Sequence, residues 1–215
     1  MFQASLSFTR PDEGVDEHQA PMPEAPDPEG LEAWGWPGID RANDDERKRW
    51  LRKRPVEIRD ADTDGSLRGG EVPRRKVWIR MKGELPESEA IHAAAIAYAT
   101  DSGLLSTARG VNAPGRRASA SLDHSVWFHY PPRFGDWLLY TSENPIAHAA
   151  RALIFGQMHR PDGTHVVSVA QEGTIGALVQ VPGGFGGRRF VHDAPHDDPV
   201  GEAEGQATSS DAASG

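Results

Sequence analysis

Four runs between residues 118 and 176 carry the β-branched, aromatic and alternating apolar side chains of strands: Ala118–Tyr130, Trp137–Ser142, Ala150–Arg160 and His165–Gly176. Pro131-Pro132, Asn144-Pro145 and Pro161-Asp162-Gly163 predict the turns between them. Upstream, Val56–Arg59 reads as a brief strand. Arg75–Lys82 reads as a longer one, with Val77, Ile79 and Met81 alternating against charges, and Asp64-Gly65 and Gly69-Gly70 mark the loop between the two. Pro86–Thr100 predicts the strong helix of the chain; its Ala-rich centre is apolar nearly all round, so it is expected to be enclosed on several sides. A short helix is predicted over Asn43–Lys53, acidic at its start and basic toward its end as the macrodipole favours, and stopped by Pro55. Phe2–Phe8 alternates like a strand at the head of the chain. Strands, one buried helix and then an antiparallel meander predict an α+β fold in which a curved antiparallel sheet wraps around one long helix.

Two of the strand runs are interrupted by short polar side chains. Ala120-Ser121-Leu122-Asp123-His124-Ser125-Val126-Trp127-Phe128-His129 and Ser168-Val169-Ala170-Gln171-Glu172-Gly173 place hydroxyl and amide groups among apolar residues. Burying such a group unpaired costs roughly 1–3 kcal/mol. Their presence therefore points to an ordered polar site between the sheet and whatever packs on it.

Charge is unevenly spread. Of the 215 residues, 1–40 hold one Arg against nine Asp or Glu, and 181–215 hold two Arg against six; the net charge of −9 thus belongs to the ends, and the middle is slightly basic. Pro11–Trp36, with five prolines and scattered acids, reads as an extended linker, and both ends have a composition that buries little apolar area. No apolar stretch is long enough for a membrane helix, and no basic-then-apolar leader opens the chain. Zero Cys excludes disulfides, thiolate nucleophiles and Cys-ligated zinc, and fits a reducing compartment. Apart from Arg47–Arg49 and Arg52–Arg54, the only mildly basic middle has no Lys/Arg stripe interleaved with aromatics, so nucleic acid is not an expected partner.

The blocks Ser121-Leu122-Asp123-His124-Ser125-x-Trp127-Phe128-His129, Asp136-Trp137-Leu138-Leu139-Tyr140, Ala150-Arg151-Ala152-Leu153-x-x-Gly156 and Ser168-Val169-Ala170-Gln171-Glu172-Gly173, in this order, resemble the C-terminal half of the acyl-CoA thioesterase II family. The resemblance covers roughly residues 55–177. Phe2–Ser5 and Glu17–Pro23 resemble the last strand of the family's N-terminal half and the linker after it. The family has two tandem hotdog domains, each a sheet wrapped around a long helix. The resemblance accordingly implies one hotdog thioesterase domain over 55–180, preceded by a residual strand, an acidic Pro-rich linker and a short helix over 1–54, and followed by a disordered acidic tail over 181–215. Either the recorded start is too late or the chain is a stand-alone second half.

The resemblance also implies a hydrolytic centre made of an acid at the end of the hotdog helix, a Thr or Ser two residues before the Asp-His-Ser signature, and the Gln of the Gln-Glu-Gly block. Here these are Asp101, Ser121 and Gln171. A carboxylate in the last turn of a helix meets the negative end of the macrodipole, at a cost of about 0.3–1 kcal/mol, which suits a group that must take up a proton. Each residue also has a plainer reading: Asp101 as a solvated helix end, Ser121 as a strand spacer on the face of Ser119, Asp123 and Ser125, and Gln171 as a cross-strand hydrogen bond. With no Cys and no sequence-evident His base for Ser121, hydrolysis by an activated water is expected rather than a covalent acyl-enzyme.

Other motifs carry less. Asp123-His124-Ser125 contains the residue types of a hydrolase triad, but adjacent strand residues face opposite ways, so a structural role is expected. His192, Asp193, His196, Asp197 and Asp198 lie in a Pro-interrupted acidic stretch unsuited to a fixed metal geometry, and Gly183–Gly187 opens no helix that would bind phosphate. Arg188 and Arg189 are candidates for touching a CoA phosphate, with a solvated tail as the alternative.

The expectation is an acyl-CoA thioesterase that hydrolyses fatty acyl-CoA without a cofactor or metal, self-associating as a homodimer or pairing with another hotdog domain. The alternatives are a non-catalytic acyl-CoA-binding or scaffold subunit, and a truncated inactive fragment. The chain ends Ala213-Ser214-Gly215, with no peroxisomal address, so cytoplasm is the expected compartment.

Overall fold

A computed structural model describes residues 17–33, 54–63, 72–109, 117–180 and 188–190, together with positions 7, 45 and 48. Its strands are β1 (Val56–Asp60), β2 (Arg74–Met81), β3 (Arg117–Ser121), β4 (Ser125–Phe128), β5 (Leu138–His148), β6 (Arg151–His159), β7 (His165–Gln180) and β8 (Arg188–Phe190). The one complete α-helix among the described residues is α1 (Glu89–Asp101), followed by a 3-10 turn at Leu104–Arg109. Every strand pairing is antiparallel, in the order β1-β2-β5-β6-β7-β3, with β4 and β8 also on β7. This is the α+β arrangement the sequence predicts.

Alternation decides what lies inside. Val77 and Ile79 of β2, Leu138 and Tyr140 of β5, Ile154 and Met158 of β6, and Val167 and Val169 of β7 form one buried cluster with Ile96 and Ala99 of α1. Burying a side chain such as Ile96 is worth roughly 1.5–3 kcal/mol. His92, one turn before Ile96, accepts the Phe134 amide on Nδ1 at 3.0 Å and so ties α1 to the loop before β5. The helix is not enclosed on several sides as its composition predicts. His92, Ile96, Ala99 and Thr100 are buried, whereas Ile91 and Tyr98 are 41% and 51% exposed, because a helix laid on one sheet buries only the face toward it.

The predicted single strand Ala118–Tyr130 is two strands. The chain steps out of the ladder at Leu122-Asp123-His124, where Asp123 Oδ1 accepts the Glu172 amide at 2.7 Å and replaces a strand partner. Face parity does not carry through this break: Ser121 points inward toward Gln171, while Ser125 is exposed beside Val126, which packs on the core. The Asn144-Pro145 turn is likewise a bulge inside β5. Asn144 Nδ2 donates to the carbonyls of Ile146 and Leu153, both at 2.8 Å, and Pro145 has no N–H to lose from the ladder. The actual turn lies five residues on, at Ala149-Ala150.

Residues 17–33, read from composition as linker, lie along the outer face of the sheet. Met22, Ala25 and Leu31 pack on Ala61, Trp78, Trp137 and Leu139. Trp78 Nε1 donates to the Pro26 carbonyl and Trp137 Nε1 to Glu29 Oε1, each at 2.8 Å, while the guanidinium of Arg80 sits 4.2 Å from the Trp137 ring centre. Prolines keep this strap extended, and its carbonyls find donors on the sheet. Residues 188–190, placed by sequence in a disordered tail, form β8 against Leu178–Gln180. Asp45 and Lys48 are helical, in line with the predicted short helix, the rest of which lies outside the described residues, as do the Phe2–Phe8 strand (Ser7 excepted), the 191–215 tail and the Gly183–Gly187 run.

Candidate active site

The last turn of α1 is held from three directions. Tyr140, with no room between it and Gly156, donates its hydroxyl to the Thr100 carbonyl at 2.9 Å; burial pushes that phenol far above its ordinary range. Arg75 Nη1 donates to the Gly103 carbonyl at 3.2 Å. Gly103 turns the chain out of the helix with φ +87°, a conformation that favours glycine. Thr100, fully buried, donates its hydroxyl to the Ala97 carbonyl and meets His124 Nε2, both at 2.9 Å.

Asp101 is the next residue, and the sheet meets it with two side chains. Gln171 has no solvent exposure and donates Nε2 to Asp101 Oδ1 at 2.8 Å and to Ser121 Oγ at 2.7 Å. Ser121 Oγ in turn donates to Asp101 Oδ1 at 3.3 Å. The register explains the meeting: Ser121 pairs with Gly173, two residues from Gln171 on the same face of β7. A Cβ at Gly173 would lie 2.2 Å from Leu105 Cδ2, so only glycine there lets the turn after α1 settle onto the sheet. All three sequence-predicted residues thus share one hydrogen-bonded cluster. Both bonds to the carboxylate fall on Oδ1, which leaves Oδ2 unengaged by either residue. Gln171 Oε1 is buried with no partner among the described residues, although an amide oxygen normally has one. Asp101 and Ser121 are exposed, so the cluster opens to solvent on the side of Ile91 and Tyr98, which share the outward helix stripe with Asp101.

Asp123, His124 and Ser125 do not form a triad, each being engaged elsewhere or exposed. What sequence reading missed is His124 as a neighbour of Thr100; its position in the signature signals some constraint but not its partner. Burial lowers the His124 pKa from the ordinary histidine value, against the opposing pull of the Asp101 and Asp123 carboxylates. Among the described residues no group of three or more His, Cys, Asp or Glu could hold a metal ion, and no helix is long and apolar enough to cross a membrane. The 192–198 cluster lies outside the described residues, and β8 carries Arg188 and Arg189.

A curved antiparallel sheet around one helix, with polar side chains meeting at the helix end, defines the hotdog class, and similarity to solved structures agrees. A hot dog fold protein from Alicyclobacillus acidocaldarius superposes with a TM-score of 0.57 at 16% identity, over 78% of this chain and 59% of that one. The acyl-CoA thioesterase II TesB2 of Mycobacterium marinum superposes with a TM-score of 0.62 at 30% identity, over 81% of this chain and 61% of that one. The family model described as acyl-CoA thioesterase matches residues 45–174, and the chain belongs to that family. Acyl-coenzyme A thioesterase 8 of Mus musculus is 38% identical over 112 residues, 51% of this chain and 35% of that protein. Acyl-CoA thioesterase 2 of Haemophilus influenzae is 30% identical over 134 residues, 60% and 46% respectively. The chain thus spans between a third and a half of the length of these curated relatives.

Proposed function

We propose that this protein is an acyl-CoA thioesterase, hydrolysing fatty acyl-CoA to free fatty acid and CoA with water as the nucleophile. Asp101 takes a proton from that water as its oxygen bonds to the acyl carbon; Ser121 and Gln171 hold the water in reach; and backbone donors carry the oxyanion. The tetrahedral intermediate then collapses by breaking the carbon–sulfur bond, and the proton on Asp101 passes to the departing CoA thiolate. The observation that carries this reading is the convergence of Gln171 Nε2 on Asp101 Oδ1 and Ser121 Oγ. An unpartnered, buried Gln171 Oε1 suits a water donating to it.

The domain reading keeps 55–180 as the hotdog unit. The exposure of Ile91, Tyr98, Asp101 and Ser121 supports a site completed by a second hotdog, either another copy or a tandem half, which would cover the outward stripe of α1. The Cys-free composition suits a cytoplasmic setting.

The test is thioester release from decanoyl-CoA followed with a thiol reagent, with light scattering on the same sample. Asp101→Asn should abolish turnover while leaving the circular dichroism and melting temperature unchanged. Full activity in that variant would remove Asp101 from the mechanism. A wild-type protein that binds but never cleaves acyl-CoA would favour the scaffold reading, and a strictly monomeric active species would remove the second hotdog.

A further inference from the structure

The polar groups around the end of α1 include one that the proposed chemistry does not use. His124 lies in the break between β3 and β4, half-buried, with Nε2 2.9 Å from Thr100 Oγ1. A threonine hydroxyl has one hydrogen, and Thr100 gives it to the Ala97 carbonyl. In this bond the imidazole must therefore be the donor, which fixes the proton on Nε2 and leaves Nδ1 bare. Nδ1 is buried and meets no partner among the described residues, so a second proton there would have no acceptor. The titratable groups facing the ring are Asp101 on α1 and Asp123 in its own loop, and neither is hydrogen-bonded to it.

We propose that His124, as the neutral Nε2–H tautomer and acting through Thr100, is a positioning residue that sets the last turn of α1 so that Asp101 meets Gln171 and Ser121. The ring approaches from the β3–β4 break, while Tyr140 holds the carbonyl of the same threonine from the opposite strand β5. Thr100 is thereby pinned through both its side chain and its backbone, one residue before the carboxylate. The break in the sheet then has a purpose: a continuous strand would keep His124 in the ladder. This inference rests on the thioesterase reading for its effect on turnover, but its structural core stands apart from it.

The experiment uses the full chain with decanoyl-CoA. Misplacing a reacting group by about an ångström costs up to about 100-fold, so His124→Leu should lower kcat by about 10- to 100-fold with KM unchanged. His124→Gln, whose Nε2–H reaches the same place, should recover most of that loss. Thr100→Val should match His124→Leu, and the double variant should be no worse than either single one, because both break one interaction. Wild-type kcat in His124→Leu, an equal rise in KM, no rescue by Gln, or additive losses would overturn the proposal. Imidazole 15N shifts of the wild-type protein give a readout free of turnover: the Nε2–H neutral tautomer is expected, and an Nδ1–H tautomer overturns the inference even if His124→Leu fails to fold. If Asp101→Asn turns over normally while the tautomer is as expected and the Ser102 amide, bonded to the Ala99 carbonyl, exchanges faster in His124→Leu than in the wild type and near the wild-type rate in His124→Gln, the thioesterase mechanism fails and the positioning survives. Unchanged Ser102 exchange in His124→Leu would remove the positioning instead.

Discussion

Gln171 Nε2 lies 2.8 Å from Oδ1 of Asp101, a residue 70 positions earlier, and the amide reaches it from a site with no solvent exposure. The neutrality of that amide is what lets it sit there. Gln171→Glu keeps the shape but sets a second carboxylate against Asp101, and two such groups in contact cannot both ionise. The expected outcome is a loss of kcat of about 100-fold near neutrality and a pH–rate profile whose acid limb moves upward by about one unit or more. An unchanged profile would mean that the contact is absent in the working enzyme.

Gly156 faces Tyr140 across the β5–β6 pair, and a Cβ on it would come within 2.7 Å of the ring. The ring cannot retreat without giving up its bond to the Thr100 carbonyl. Gly156→Ala should therefore destabilise the fold by about 1–3 kcal/mol, and Tyr140→Phe by about 1 kcal/mol. Combined, they should cost less than their sum, since both loosen one contact. Urea unfolding of the three variants checks this.

The β5–β6 hairpin closes through Ala149 and Ala150 at φ 48° and 59°, between the paired residues His148 and Arg151. Two left-handed residues form the turn type that Asn-Gly fits and alanine strains. Replacing Ala149 by Asn together with Ala150 by Gly should stabilise the protein by about 1–2 kcal/mol, read as a higher denaturation midpoint at unchanged slope. A lower midpoint would show that the tip is held by contacts the substitutions remove.

His159 is fully buried, stacked 4.7 Å from His165, and neither ring nitrogen has a partner among the described residues. Burial, with the nearby His165, depresses its pKa from 6.5 to about 4. The unfolded chain therefore binds more protons than the native one between those values. Its contribution is complete above pH 6.5 and is lost as pH falls toward 4, amounting to about 3 kcal/mol at most. His159→Phe should flatten the fall in unfolding free energy over that window. An equally steep fall in the variant would assign the acid sensitivity to other groups.

The short-range periods of the sequence determine the β1, β2, β6 and β7 strands, the central helix and hence the α+β class, because alternation and helical spacing are local properties of the chain. Resemblance of the signature blocks also singled out Asp101, Ser121 and Gln171. Only the tertiary structure decided how those three meet, since the pairing of Ser121 with Gly173 and the settling of Leu105 over that glycine are long-range events. It alone showed the break that turns His124 toward Thr100, the bulge that absorbs Asn144-Pro145, and the docking of the acidic strap on Trp78 and Trp137. Prolines and acids say that a segment will not form a helix or a core strand, but not that its carbonyls will find donors on another surface. That outcome is settled by where the rest of the chain places its tryptophans.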